Sequence, residues 1–187
     1  MDSQINDRIE DALSDHEVLE VIAERLQYTS RAAEEHLPDG LISLLHGEPL
    51  GHPLHPILIN LPLGGWVIAG LLDFLPSSQA AENEHAADLA LLIGTVGAVP
   101  AMAAGWTDWS NTRGQARRTG LVHGTINTTA LLLNGASLLA RKRGKRGLGK
   151  ALSGTALGLA MVGGFLGGQL VYRHGLGVGH TLAVPQG

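Results

Sequence analysis

The sequence predicts an all-α fold: a four-helix transmembrane bundle, up-down-up-down, preceded by an N-terminal amphipathic helical arm. Three observations carry this expectation. Four stretches approach the roughly 20 apolar residues that a helix needs to cross about 30 Å of hydrocarbon. The connectors between them are short and hold most of the remaining charge. The first fifty residues are different in kind, with twelve acidic side chains against Arg8, Arg25 and Arg31.

These features divide the chain into an acidic arm (1–43), a four-span domain (44–180) and a short tail (181–187). In the arm, Ile5, Ile9, Leu13, Val18, Ile22 and Leu26 recur at helical spacing. Ser14, with Glu17 three residues on, matches a capping box that starts a second helix, and Pro38-Asp39-Gly40 ends it. Such a stripe suits packing on the bundle, on the membrane surface or on a second copy, so a homo-oligomer is compatible with it. The arm's acidity speaks against nucleic acid and against anionic lipid as partners.

The expected spans are 57–75, 89–106, 121–140 and 152–172. The first, second and fourth lack the polar stripe that a helix of a soluble bundle would show. The third is interrupted by Asn127, Thr128, Thr129 and Asn134. Asn127 and Asn134 lie two turns apart on one face, which would point into the bundle. Glycines four apart (Gly154 and Gly158, Gly163 and Gly167, Gly164 and Gly168) allow close helix packing, or room for a flat cofactor. Pro62 and Pro100 mark places where the first two spans could break. A transporter would call for broken helices and an inverted repeat, and no repeat is visible between the halves.

The first twenty residues are acidic and polar, unlike a signal peptide, so internal spans would drive insertion. The connector 141–151 holds Arg141, Lys142, Arg143, Lys145, Arg146 and Lys150, against Arg113, Arg117 and Arg118 in the connector 107–120. Lysine and arginine prefer cytoplasmic loops, which places both termini outside.

Histidines gather at one rim. His52 and His55 precede the first span, with Pro56 suited to its first helical position; Asp108 lies at the exit of the second. His123 opens the third span, and His174 follows the fourth. In an up-down-up-down bundle these ends share one side. Interface anchoring would suit single aromatic or histidine residues, but three spans contribute here. His52, His55, Asp108, His123 and His174 could supply three or four ligands to zinc or another divalent ion. Two facing histidines could instead hold haem b, with His55 and His123 the natural pair and His52 and His174 a second. The chain has no cysteine, which excludes disulfides, thiolate metal sites and a cysteine-ligated iron–sulfur cluster. No nucleophile–base pair or phosphate loop is visible, so independent catalysis is not expected.

The segment GHPLHPILINLPLGGWVIAGLLDFL resembles the opening of the bacterial membrane proteins filed as domain of unknown function 2231. The resemblance continues through Gly105-Trp106-Thr107-Asp108-Trp109 and His123 to GQLVYRHGLGV at Gly168–Val178. It implies a four-helix domain in a bacterial inner membrane. Some members continue into a Rieske iron–sulfur domain, which implies electron transfer; without cysteine, a Rieske-type or quinone-linked partner would be a separate chain. Many members carry histidine where this sequence has Asn60. The expectation is a small redox subunit binding haem b or a metal. The alternative is a non-catalytic membrane module binding a divalent metal or a partner protein, without a redox cofactor.

Overall fold

A computed structural model describes residues 17–75 and 80–177. Ser14, the stripe residues Ile5, Ile9 and Leu13, and the tail from 181 lie outside the described residues. The described chain is all helical: α1 (Glu17–Glu34), α2 (Asp39–His46), a 3-10 turn (Glu48–Leu50), α3 (Leu54–Leu58), α4 (Asn60–Phe74), α5 (Ala80–Trp109), α6 (Gly114–Lys142) and α7 (Arg146–Tyr172). The long helices run well past the expected spans, because polar residues at their ends continue the same helical ladders.

Three helical segments are long and apolar enough to cross a membrane: Leu54–Phe74, Glu82–Trp109 and Arg146–Tyr172. The expectation of four is thus met in three by length and apolarity. Helix α6 has the length, at 29 residues, but its threonines and asparagines dilute its hydropathy. The first span begins at Leu54, so Pro56 sits inside the first turn rather than at its first position. It is interrupted at Ile59 between α3 and α4. Pro62 has no N–H to offer the carbonyl of Leu58, which opens the ladder there. Pro100 is carried within α5.

Helices α4 and α5 form one antiparallel pair and α6 and α7 another. The second turns through Gly144, whose φ of 71° favours glycine. The core between the pairs is built from small residues (Ala69, Ala98, Ala130, Ala156, Ala160) around Trp66 and Leu91. Large apolar side chains such as Val96, Leu132 and Met161 point outward. This inversion suits lipid surroundings, where close backbone approach rather than apolar burial holds helices together.

One end of the bundle is closed by ions. Asp73 (α4) accepts from Arg141 (α6) and, at 2.9 Å, from Arg146 (α7). Asp88 (α5) accepts from Arg141 at 2.8 Å and from Arg146 at 3.0 Å. Arg141 also donates to Ser137 and Ser153. The cluster ties all four long helices.

The arm docks at the opposite end. Gln27, 1% exposed, donates to the carbonyls of Trp109 and Thr112 and to the Thr112 hydroxyl. Ala23 packs with Trp109 and Leu121, while Glu20 pairs with Arg117 and Arg118. The expected apolar stripe faces the other way: Val18, Ile22 and Leu26 are exposed. Docking is made by hydrogen bonds and charge on a connector, with alanine as the point of closest approach, so the larger side chains are left outside.

Burial raises the Glu20 carboxyl, but hydrogen bonds and the charges of Arg117 and Arg118 outweigh it and hold it below the ordinary value. A carboxylate lowered in the docked state stabilises docking above its undocked pKa. That contribution is lost as pH falls through the lowered value. A spin label at Leu19→Cys, beside the docked contact, is therefore expected to be restricted at neutral pH and to loosen in acid, below the usual carboxylate range. Glu20→Gln should flatten that profile.

Candidate histidine site

The turn that presents the first histidines is specified locally. Gly47 (φ 76°) caps α2, and a Cβ there would overlap the backbone of His52. The chain then passes Gly51 and Pro53 into α3, which carries His55.

His55 and His123 occupy matching environments. The Nδ1 of His55 lies 2.7 Å from the carbonyl of Ala101 on α5. The Nδ1 of His123 lies 2.8 Å from the carbonyl of Gly163 on α7. A carbonyl only accepts, so in each ring the proton sits on Nδ1 and the lone pair on Nε2. Glycine makes both placements possible. A Cβ at Gly105 would stand 2.8 Å from the His55 ring, and one at Gly167 would stand 3.0 Å from the His123 ring. The rings meet edge to face, centroids 6.3 Å apart and planes at 82°. The Asn127 amide donates to the His123 carbonyl at 2.9 Å.

Both histidines line a cavity of about 650 Å³ between the two helix pairs. Its walls are mainly apolar, with Trp106 and Met102 on one side and Gly164 and Gly168 on the other. Gly163 and Gly167 are thus close-approach positions, and Gly164 and Gly168 leave space. Both uses expected of the glycines are realised, each by different members.

The other candidates are placed unequally. Asp108 lines the cavity and is held by the Nδ1 of His46 at 3.1 Å. His52 is at the mouth, exposed, its Nδ1 3.1 Å from the Leu50 carbonyl. His174 follows α7 and is not among the cavity residues. Asn60, exposed, donates to the carbonyls of Pro56 and Ile57. Among the described residues no three His, Asp or Glu side chains converge on one point. The pair His55–His123 is therefore what a ligand would meet. Sequence reasoning passed over His46, which lies outside the spans in a connector helix; only its nearness to the HPLHP phrase could have signalled it.

Fold and site define an all-helical membrane protein with a histidine-lined interior cavity at one end. The chain belongs to the family described as predicted membrane protein, domain of unknown function 2231, whose model matches residues 51–180. No match is found among curated proteins or among solved structures.

Proposed function

We propose that this chain is a four-span membrane redox subunit that holds haem b between His55 and His123 and passes electrons at one membrane face. The observation that carries the reading is the pair of neighbouring rings, each with Nδ1 anchored on a backbone carbonyl, with Nε2 of His123 meeting only the Asn127 amide at 3.3 Å, a contact a metal would replace. A metal-bound imidazole nitrogen stands about 2.0 Å from its metal, so each ring centre would be about 3 Å away. Two rings on opposite sides are then about 6 Å apart, whereas a tetrahedral arrangement draws them to about 5 Å. The 6.3 Å separation is compatible with a metal held between the two rings, as a haem with two histidine ligands would be. A cavity of about 650 Å³ with glycine walls is roomy enough for a flat ligand. Haem b there would supply one-electron chemistry; the chain's residues would hold it through His55 and His123.

A crossing by α6 would make four, and its place in the chain and its polar residues support that reading. It joins the end of α5 to the start of α7, both of which are apolar spans. Its polar residues are internally satisfied or inward. The hydroxyls of Thr125, Thr128 and Thr129 donate back to the carbonyls of Leu121, Gly124 and Thr125, and Asn134 is fully buried. The basic connector after α6 favours the ion-cluster end as cytoplasmic and both termini outside. In a bacterial plasma membrane, the outer histidine end would face a separate Rieske-type or quinone-linked partner.

Purified protein titrated with haemin is expected to develop a shifted Soret band of a haem with two histidine ligands, which His55→Ala and His123→Ala each weaken and move. No such band, with stoichiometric zinc or copper by elemental analysis, would replace this reading by that of a metal-binding module.

A further inference from the structure

The buried positions of the two helix pairs correspond at constant offsets. The offset that carries His55 to His123 carries the buried residues Pro62, Trp66, Ala69 and Asp73 of α4 to Ala130, Asn134, Ser137 and Arg141, all buried in α6. The offset that carries Ala101 to Gly163 does the same for the second helices. It takes Ala87, Leu91, Gly94, Ala98 and Ala104, buried in α5, to Gly149, Ser153, Ala156, Ala160 and Leu166, buried in α7. It also takes Gly105, which makes room for His55, to Gly167, which makes room for His123.

Equivalent residues meet one another. His55 faces His123, Asp73 pairs with Arg141, and Glu84 pairs with Arg146 at 3.1 Å. In a two-fold arrangement a residue that touches its own counterpart lies beside the axis. The histidine pair marks one end of the bundle and the two ion pairs mark the other. Five helical turns, about 27 Å, separate these marks along α6. The axis therefore runs along the bundle, in the sense of a parallel repeat rather than the inverted one a transporter would show.

The halves carry opposite charge at matching places. Asp73, Glu84 and Asp88 in the first correspond to Arg141, Arg146 and Lys150 in the second. Unlike halves attract, whereas two copies of one half would set like charges together. This explains how such similar pairs assemble in one arrangement.

The geometry points to a duplicated helix pair fused in one chain, with a ligand held on the pseudo-two-fold axis by His55 and His123 as equivalent half-sites. The inference rests on the proposed role of these two histidines and adds the class of ligand. It must offer two like positions to two imidazoles related by the axis, as a planar metal macrocycle would.

Two measurements on the full chain test this. The sequence has no cysteine, so spin labels can be placed singly at outward positions. Leu71 corresponds to Leu139, and Val99 to Met161, all four exposed. A two-fold axis requires the Leu71→Cys/Met161→Cys pair and the Leu139→Cys/Val99→Cys pair to give the same distance distribution. Unequal distances overturn the duplication. Haemin titration of folded His55→Ala and His123→Ala should show matching losses of affinity, roughly tenfold or more in each, with equal rescue by added imidazole. Binding by the parent with loss in only one variant overturns the equivalence and leaves the haem reading standing. No binding by the parent overturns the axial ligand together with that reading, and equal label distances would then preserve the duplication alone.

Discussion

Replacing Arg141 with alanine is expected to cost about 3 kcal/mol or more of bundle stability, since removing one partner of a buried ion pair leaves the other charge uncompensated. Asp73 has no exposed side-chain surface. After the substitution it would keep only Arg146, which lies at the more open edge of the cluster. The Asp88 carboxylate and the Ser137 and Ser153 hydroxyls would each lose a donor as well. Stability of a domain is on the order of 5–15 kcal/mol, so this single change removes a large share. Unfolding in mixed micelles with increasing denaturing detergent would measure it. A midpoint equal to that of the parent would show that the cluster does not hold the helix pairs together. Arg141→Lys should fall between, since one ammonium cannot span two carboxylates and two hydroxyls at once.

Gly65→Ala is expected to destabilise the first helix pair by about 1–3 kcal/mol, the usual cost of forcing extra atoms into a packed contact. A Cβ on Gly65 would stand 2.6 Å from the Ala90 carbonyl oxygen and 2.7 Å from the Gly94 Cα. Both are backbone atoms of α5 and cannot swing aside. Gly64, one residue earlier, meets nothing within 4 Å. Alanine there should be neutral, or gain up to about 1 kcal/mol of helix propensity. The two variants differ by one position and one methyl, so the same unfolding assay isolates the packing contact. Equal midpoints for the two would show that α4 and α5 do not approach as closely as described.

Much of this fold was legible from hydropathy alone, because three of the long helices satisfy the bilayer length rule directly. The fourth was visible only as an interrupted stretch, since a helix whose threonines bond back to its own carbonyls looks more polar in sequence than it is in place. The gathering of histidines at one end followed from alternation of the helices. Which two would meet did not, because it depends on two glycines and two carbonyls in α5 and α7. The ion cluster was present only as isolated residues, Asp73 and Asp88 at one end and the arginines of a loop. Their pairing requires register between helices, which hydropathy does not encode. The arm's docking on the bundle was not legible in its apolar stripe, which stays exposed, because Gln27 and Ala23 do the packing.

The tight turn between α6 and α7 bears on the order of assembly. Only Arg143, Gly144 and Lys145 separate the two helices. Contacts within each helix pair are therefore close in sequence and quick to form. The contacts between pairs join residues much farther apart along the chain, as in Asp73 with Arg141 and His55 with His123. Loop closure makes these the slower events. During synthesis the first pair emerges complete before its complement exists, with Asp73 inside the bilayer and no arginine to meet it. A carboxyl group in hydrocarbon without a partner is costly. The last step of folding is then the meeting of Arg141 with Asp73, and the closed end of the bundle forms with it.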